Sequence, residues 1–216
     1  MRLKISKLID NLETITEQIR LSFTVKDAAR EKILPLCREI IRYCSNAIRA
    51  VHRQEFDQAY GLLLKASQCL EDSKQDIISS KELSNTGILK DAQKEFAEGS
   101  ITLALIMGKK LPSPDDLGVD YAAYLNGMGE AVGELRRYLL DGIRRGDLSR
   151  GGELLSAMDE IYSVLVTIDF PDAITGGLRR TTDMVRGVLE RTRSDLTLVM
   201  SQKNLENRLG EFREKL

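Results

Sequence analysis

The chain has 216 residues, of which 42% are hydrophobic and 30% charged, so its composition excludes an intrinsically disordered protein. Its 32 basic residues almost balance its 33 acidic residues, and the resulting net charge of -1 predicts no polyanionic partner by itself. Aromatic residues make up only 5% and Trp is absent, which weighs against an all-β fold and against recognition by base stacking.

Apolar residues recur at intervals of three and four along nearly the whole chain, so we predict an all-α fold without strands. The first predicted helix spans about residues 3–21. The second follows a capping box at Thr24-Val25-Lys26-Asp27 and ends near His52, and Pro35 is expected to bend it or to mark its first turn. The third spans about residues 57–78.

Four more helices complete the predicted bundle. They cover about residues 88–107, 120–145, 152–167 and 178 towards the C-terminus, and the last two are separated by Phe170-Pro171. The longest predicted loop, residues 109–118, contains two prolines. We find neither a repeat nor a flexible linker, so we expect one domain over residues 1–216.

The second predicted helix carries a row of arginines opposite its apolar face. These four residues fall within an arc of about 60° over about 22 Å, and we call them the arginine stripe: Arg38, Arg42, Arg49 and Arg53. Such spacing suits successive phosphates of RNA or DNA, although a solvated arginine-rich face has the same pattern. His52, beside the stripe, is interpreted as a partly exposed residue at a helix end rather than a catalytic base.

The cysteines and the N-terminus indicate the compartment. Cys37, Cys44 and Cys69 have no CxxC spacing and His52 is the only histidine, so we expect reduced, buried thiols and no zinc site. A Ser-His-Asp triad is equally improbable. Neither a signal peptide nor a membrane-spanning stretch is recognisable, so we expect a cytoplasmic protein with no membrane partner.

The fourth predicted helix has an acidic strip beside its apolar face. Asp91, Glu95 and Glu98 lie on this strip, where like charges three or four residues apart repel each other. Carboxylates in this arrangement suit a hard cation such as Mg²⁺. The alternative is a solvated acidic face with Lys90 and Lys94 nearby.

The fifth predicted helix combines three glycines with two acidic residues. Each of Gly127, Gly129 and Gly133 costs about 1 kcal/mol relative to Ala in a helix interior, so we expect close approach of another backbone there. Glu130 and Glu134 fall one turn apart on the face opposite the apolar seam. Their neighbours include arginines, so a solvated charged face stays open as an alternative.

The acidic helices resemble a known family. The quoted residues are Lys94-Glu95-Phe96-Ala97-Glu98, Val119-Asp120-Tyr121, Tyr124-Leu125-Asn126-Gly127, Gly133-Glu134-Leu135 and Gly146-Asp147. In helix order this pattern resembles the translin superfamily, especially translin-associated factor X. The resemblance implies a seven-helix bundle that assembles into a closed homo-oligomer, an octameric barrel. It also implies a Mg²⁺-dependent endoribonuclease that acts on single-stranded RNA.

The same resemblance implies a set of site residues. The metal-binding and catalytic carboxylates fall on Glu95, Glu98, Glu130 and Glu134. The family usually has Asp where this chain has Glu130, so the longer side chain departs from the pattern.

Two other functions compete with an RNA endonuclease. One is a non-catalytic translin-like protein that binds single-stranded RNA or DNA, and the other is a helical scaffold that binds only protein. The four carboxylates favour the nuclease. The arginine stripe suits both the nuclease and the non-catalytic protein that binds nucleic acid. The C-terminal helix spreads its apolar residues over more than one face, so we expect self-association.

Overall fold

The computed structural model describes residues 11–78 and 87–213, with backbone alone for 74–78. The helices are α1 (Leu12–His52), α2 (Phe56–Ile78), α3 (Gly87–Ile106), α4 (Pro114–Leu117), α5 (Tyr121–Arg144), α6 (Gly151–Thr167), α7 (Asp172–Thr175) and α8 (Leu178–Arg213). No strand occurs within these described ranges, which confirms the all-α prediction.

Helix α1 corrects the prediction of two separate helices in this region. It runs without a break for 41 residues, and Pro35 lies inside it. The proposed capping box at Thr24 was wrong, because the Thr24 hydroxyl donates to the Arg20 carbonyl at 2.9 Å, as in a helix interior. The predicted start near Leu3 lies outside the described residues.

The other predicted helices agree closely with the structure, and two single turns are added. Within the predicted loop at 109–118, Ser113 and Asp116 form a capping box that begins α4. After the break at Phe170-Pro171, α7 ends at Gly176, which has a left-handed backbone. The predicted break between α2 and α3 lies in residues 79–86, outside the described residues.

The core lies where α3 packs against α1 on one side and α5 on the other, with α6 and α8 covering α5. Its fully buried side chains include Ile40, Ile101, Leu135, Met158 and Val185. Buried residues of α1 begin only at Ile33, and those of α8 end at Leu196. Both long helices therefore extend beyond the core. Of the helices in the described ranges, none has a long enough apolar stretch to cross a bilayer.

Of Gly127, Gly129 and Gly133 in α5, the first two are required by close packing. A Cβ added to Gly127 would lie 2.5 Å from the Lys94 carbonyl oxygen and 3.0 Å from the Glu98 nitrogen, so the α3 and α5 backbones meet here. Gly129 lies against the Thr181 side chain in the same way. At Gly133 an added Cβ would have no neighbour within 4 Å, so the predicted backbone approach at this third glycine was wrong.

Gly127→Ala should therefore destabilise the protein by about 1–3 kcal/mol, because the new methyl group forces α3 away from α5. Gly133→Ala is the matched control in the same helix. It should stabilise the protein by about 0.4–1 kcal/mol, because space is available and Ala is the better helix former. Urea denaturation measures both changes, and equal effects of the two substitutions would contradict the close approach at Gly127.

Candidate metal centre

Three carboxylates from two helices meet at one point of the α3–α5 interface. Glu95 and Glu98 lie one turn apart on α3, and Glu130 faces them from α5. One carboxylate oxygen of each residue lies within 4.8 Å of the other two. The structure therefore brings together three of the four carboxylates expected to bind a metal, and we call these three residues the carboxylate cluster.

Burial raises the free energy of the ionised carboxylates in the cluster. Glu98 is only 9% exposed. Removal from water, and then the charges of Glu130 and Glu95, raise the pKa of Glu98 from 4.5 to about 8. Burial and the charge of Glu130 also raise the pKa of Glu95. The cluster thus holds a proton at neutral pH when no cation replaces it.

Only one side chain of the cluster is paired with a base. The Lys94 ammonium donates to Glu130 at 2.8 Å, and this pair is about one quarter exposed. Within the described ranges, Glu95 and Glu98 have neither a hydrogen-bond partner nor an ion-pair partner. One ammonium group is therefore paired with one of the three carboxylates. The recess is also lined by Arg49 and Arg137, but among the described residues neither forms an ion pair with the cluster, so the charge of the cluster favours a further cation.

Glu134, the fourth predicted residue, lies beside the cluster and is held by a histidine. It lines the same recess of about 470 Å³ as the three clustered glutamates. His52 Nε2 lies 2.5 Å from Glu134 Oε2, and Nδ1 lies 3.9 Å from a carboxylate oxygen of Asp141. The Nδ1 atom itself is buried without a hydrogen-bond partner among the described residues.

His52 ends α1, as predicted, but the prediction missed the burial of its side chain and its contact with the site. Its side chain is only 6% exposed, and it contacts a site residue 82 positions away in the sequence. The spacing of α1 carried a signal, because His52 follows Ile48 by four residues and Ile48 is buried at the recess. Its partner on α5 could not be read from α1 alone.

The arginine stripe reaches the recess at one residue. Arg49 lines it together with Arg137 of α5, which sequence reasoning had assigned only to a charged face. The other stripe residues, Arg38, Arg42 and Arg53, are exposed along α1. Arg42 pairs with Glu39 at 2.8 Å and Arg53 with Glu55 at 2.7 Å, whereas Arg38 and Arg49 have no acidic partner in the described part of the chain.

The donor set fits a hard divalent cation. All three clustered ligands are carboxylate oxygens, which Mg²⁺ and Ca²⁺ prefer, and the buried Cys44 of α1, close to Glu95 and Glu98, is not part of the cluster. Glu95 and Glu98 have no basic partner among the described residues, and a bound cation would balance their charge. Mg²⁺ commonly uses one or two carboxylates and several waters, so the open recess suits it.

Comparison with known proteins shows the same fold in solved structures. AfC3PO in complex with duplex RNA is 33% identical, with a TM-score of 0.78, and the match covers 87% of this chain and 97% of that chain. A second crystal structure of AfC3PO gives 32% identity, a TM-score of 0.77 and the same coverage. Apo-NeC3PO is 17% identical, with a TM-score of 0.74, and the match covers 88% of this chain and 97% of that chain. This likeness is one of fold alone.

A relative is also found among protein sequences. The uncharacterized protein MJ0175 of Methanocaldococcus jannaschii is 28% identical over 189 residues, which are 85% of this chain and 82% of that protein. No protein-family model matches the chain.

The raised pKa of Glu98 predicts how stability depends on pH. Between pH 4.5 and about 8 the folded protein keeps a proton on Glu98 that the unfolded chain releases. The free energy of unfolding of the metal-free protein should therefore fall as pH rises through this window. Glu98→Gln should remove most of this fall, and urea denaturation in EDTA at pH 5, 7 and 9 measures it.

Glu160→Gln, at an exposed position of α6, is the matched control and should follow the wild-type pH dependence. Parallel pH profiles for wild type and Glu98→Gln would contradict the assignment of the proton to Glu98.

Proposed function

Because the chain belongs to the translin superfamily, we propose that it is a Mg²⁺-dependent endoribonuclease whose catalytic centre is the carboxylate cluster. The observation that carries this proposal is the meeting of three carboxylate oxygens within 4.8 Å, with a single ammonium group to balance them. RNA as the ligand is supported by the duplex RNA bound in the AfC3PO complex, a protein 33% identical to this chain.

Each acidic residue has a proposed part in holding the metal. Glu95, Glu98 and Glu130 are the proposed direct ligands, and Glu134 lies at the edge of the same recess. When bound, Mg²⁺ supplies positive charge that stabilises the phosphate in the transition state and makes water more acidic. To act as a ligand Glu98 would have to release its proton, and His52 holds Glu134 through the contact of Nε2 with its carboxylate.

Glu130 stands where the family usually has Asp, and its side chain is compatible with the proposed role as a metal ligand. Its longer side chain brings an oxygen within 4.8 Å of the ligand atoms of Glu95 and Glu98. A carboxylate oxygen of Glu130 accepts from Lys94 at 2.8 Å, so the residue joins the cluster to a base. We therefore include Glu130 among the ligands.

The arginine stripe is proposed to hold the RNA backbone beside the cluster. Arg49 lines the recess of the glutamates, so a phosphate bound to it would lie next to the metal centre. Arg38 lies further along the same helix without an acidic partner among the described residues, and Arg42 and Arg53 complete the row. Such contacts position a strand without reading bases. Single-stranded RNA is the expected substrate, and duplex RNA is tested beside it.

We also propose that copies of the chain form a closed homo-oligomer, with an octamer as the family resemblance implies. Large apolar side chains are exposed where α1 and α8 extend beyond the core: Leu12, Ile15, Ile19, Leu21, Phe23 and Val25 on α1, and Leu198, Met200, Leu205, Leu209 and Phe212 on α8. Exposed apolar surface of this extent on two helices is typical of an interface. A second copy would cover it.

Glu98→Gln and Glu134→Gln should abolish cleavage, because the amide keeps the side-chain shape and loses the charge that attracts Mg²⁺. Labelled single-stranded and duplex RNA are incubated with each protein in Mg²⁺ and then in EDTA. Glu160→Gln, an exposed acid distant in sequence from the cluster, should cleave like wild type.

Unchanged cleavage by both site variants would contradict the proposed metal centre. Wild-type protein that binds RNA but leaves it intact in Mg²⁺ would support the non-catalytic translin-like alternative instead.

Phe23→Glu combined with Phe212→Glu should reduce the mass of the assembly, because it places charge in both exposed apolar faces. Phe170→Glu is the matched control, since Phe170 is equally exposed, at 61%, and lies outside these faces. Size exclusion with light scattering at micromolar concentration measures the masses. A monomeric wild type would contradict the closed oligomer.

A further inference from the structure

We propose that a second groove next to the carboxylate cluster binds the phosphodiester backbone of RNA, through Lys90, Lys94 and Arg180. This inference rests on the proposed function and adds to it a binding site in a groove that adjoins the recess and is not lined by the arginine stripe. The groove has a volume of about 590 Å³ and shares Lys94 and Glu130 with the metal centre.

Three helices form the groove. One face of α3, one face of α5 and the first turns of α8 line it, together with the turn before α8. Six of the lining residues are small and leave room for a sugar-phosphate chain: Gly87, Ala122, Ala123, Gly176, Gly177 and Thr181. Among the described residues no aromatic side chain lines the groove, so they offer no platform for base stacking.

The start of α8 is fixed in place by buried hydrogen bonds. Asn126, only 7% exposed, donates to the Thr175 carbonyl and to the Ala122 carbonyl, each at 2.8 Å. Its own oxygen accepts from the Thr181 hydroxyl at 2.6 Å. The turn at Gly176 and Gly177 has positive φ at both residues, which glycine adopts without strain. Thr181 directly follows Arg180, so these bonds fix the backbone that carries Arg180 at the groove.

The charges of the groove favour a polyanion. Lys90 and Arg180 form no ion pair with any carboxylate of the described residues, so both are available to a ligand. Two carboxylates also line the groove, Asp91 and Glu130, and Glu130 accepts from Lys94. A cation bound at the cluster would neutralise Glu130, and the groove would then present three basic groups with Asp91 as the remaining acid.

The positions of the two basic surfaces define a path for a strand. The recess with Arg49 and Arg137 and the groove with Lys90 and Arg180 both include Glu130 and Met184. Glu130, a member of the carboxylate cluster, therefore lies where the recess and the groove adjoin. A strand that contacts both would pass its phosphates across the cluster, which is the placement that cleavage within a chain requires.

The test is the salt dependence of RNA binding in EDTA, where no cleavage occurs. Each lost phosphate contact lowers the slope of log affinity against log salt by about one unit. Lys90→Ala combined with Arg180→Ala should lower the slope by about two. The matched control is Lys65→Ala combined with Arg179→Ala, two exposed basic residues outside the groove, and it should keep the wild-type slope.

Two further measurements separate the inference from the proposed function. Calorimetric titration with Mn²⁺ should give wild-type affinity for the groove variant, because neither substituted residue belongs to the cluster. Arg42→Ala combined with Arg49→Ala tests the stripe alone and should also lower the slope.

A wild-type slope for the groove variant, with a lowered slope for the stripe variant, would overturn the groove and leave the proposed function standing. An equal fall in the Lys65/Arg179 control would show a general charge effect and would also overturn it. Absence of RNA binding by the wild type would overturn both proposals together.

Discussion

The contact of α3 with α5 at Gly127 is the constraint on which the metal centre depends. A Cβ at this position would lie 2.5 Å from the Lys94 carbonyl oxygen and 2.9 Å from the Ala97 Cβ, so only glycine allows the two helices to come this close. Lys94 and Glu98, on either side of that contact, are a base and an acid of the site. The backbone packing therefore sets the distance between the carboxylates of one helix and Glu130 of the other.

This packing brings carboxylates of like charge together, and basic partners offset their repulsion only in part. Burial and neighbouring carboxylates hold the pKa of Glu98 near 8, and only Glu130 has an ammonium partner. Clustered acids that are left uncompensated in a recess are typical of a site that binds a cation. Basic groups lie near the cluster, at Arg49 in the same recess and at Lys90 in the adjoining groove, where they suit the phosphates of a strand.

The sequence predicted the helices and the acidic site residues better than the basic side chains that contact those acids. Periodicity located Glu95 and Glu98 on one strip of α3, and the family resemblance singled out Glu130 and Glu134. The contacts of His52 and Lys94 with acids of α5 depend on how helices far apart in sequence pack, which no local pattern records. The continuity of α1 past Thr24 was missed because a capping sequence and a helix interior use the same residue types.

Anomalous diffraction from crystals soaked in Mn²⁺ tests the central claim most directly, because it locates a bound divalent cation without reference to activity. The account predicts one peak in contact with carboxylate oxygens of Glu95, Glu98 and Glu130, and its loss in crystals of Glu98→Gln. A cluster without a peak in the wild type, or a peak that persists unchanged in Glu98→Gln, would contradict it.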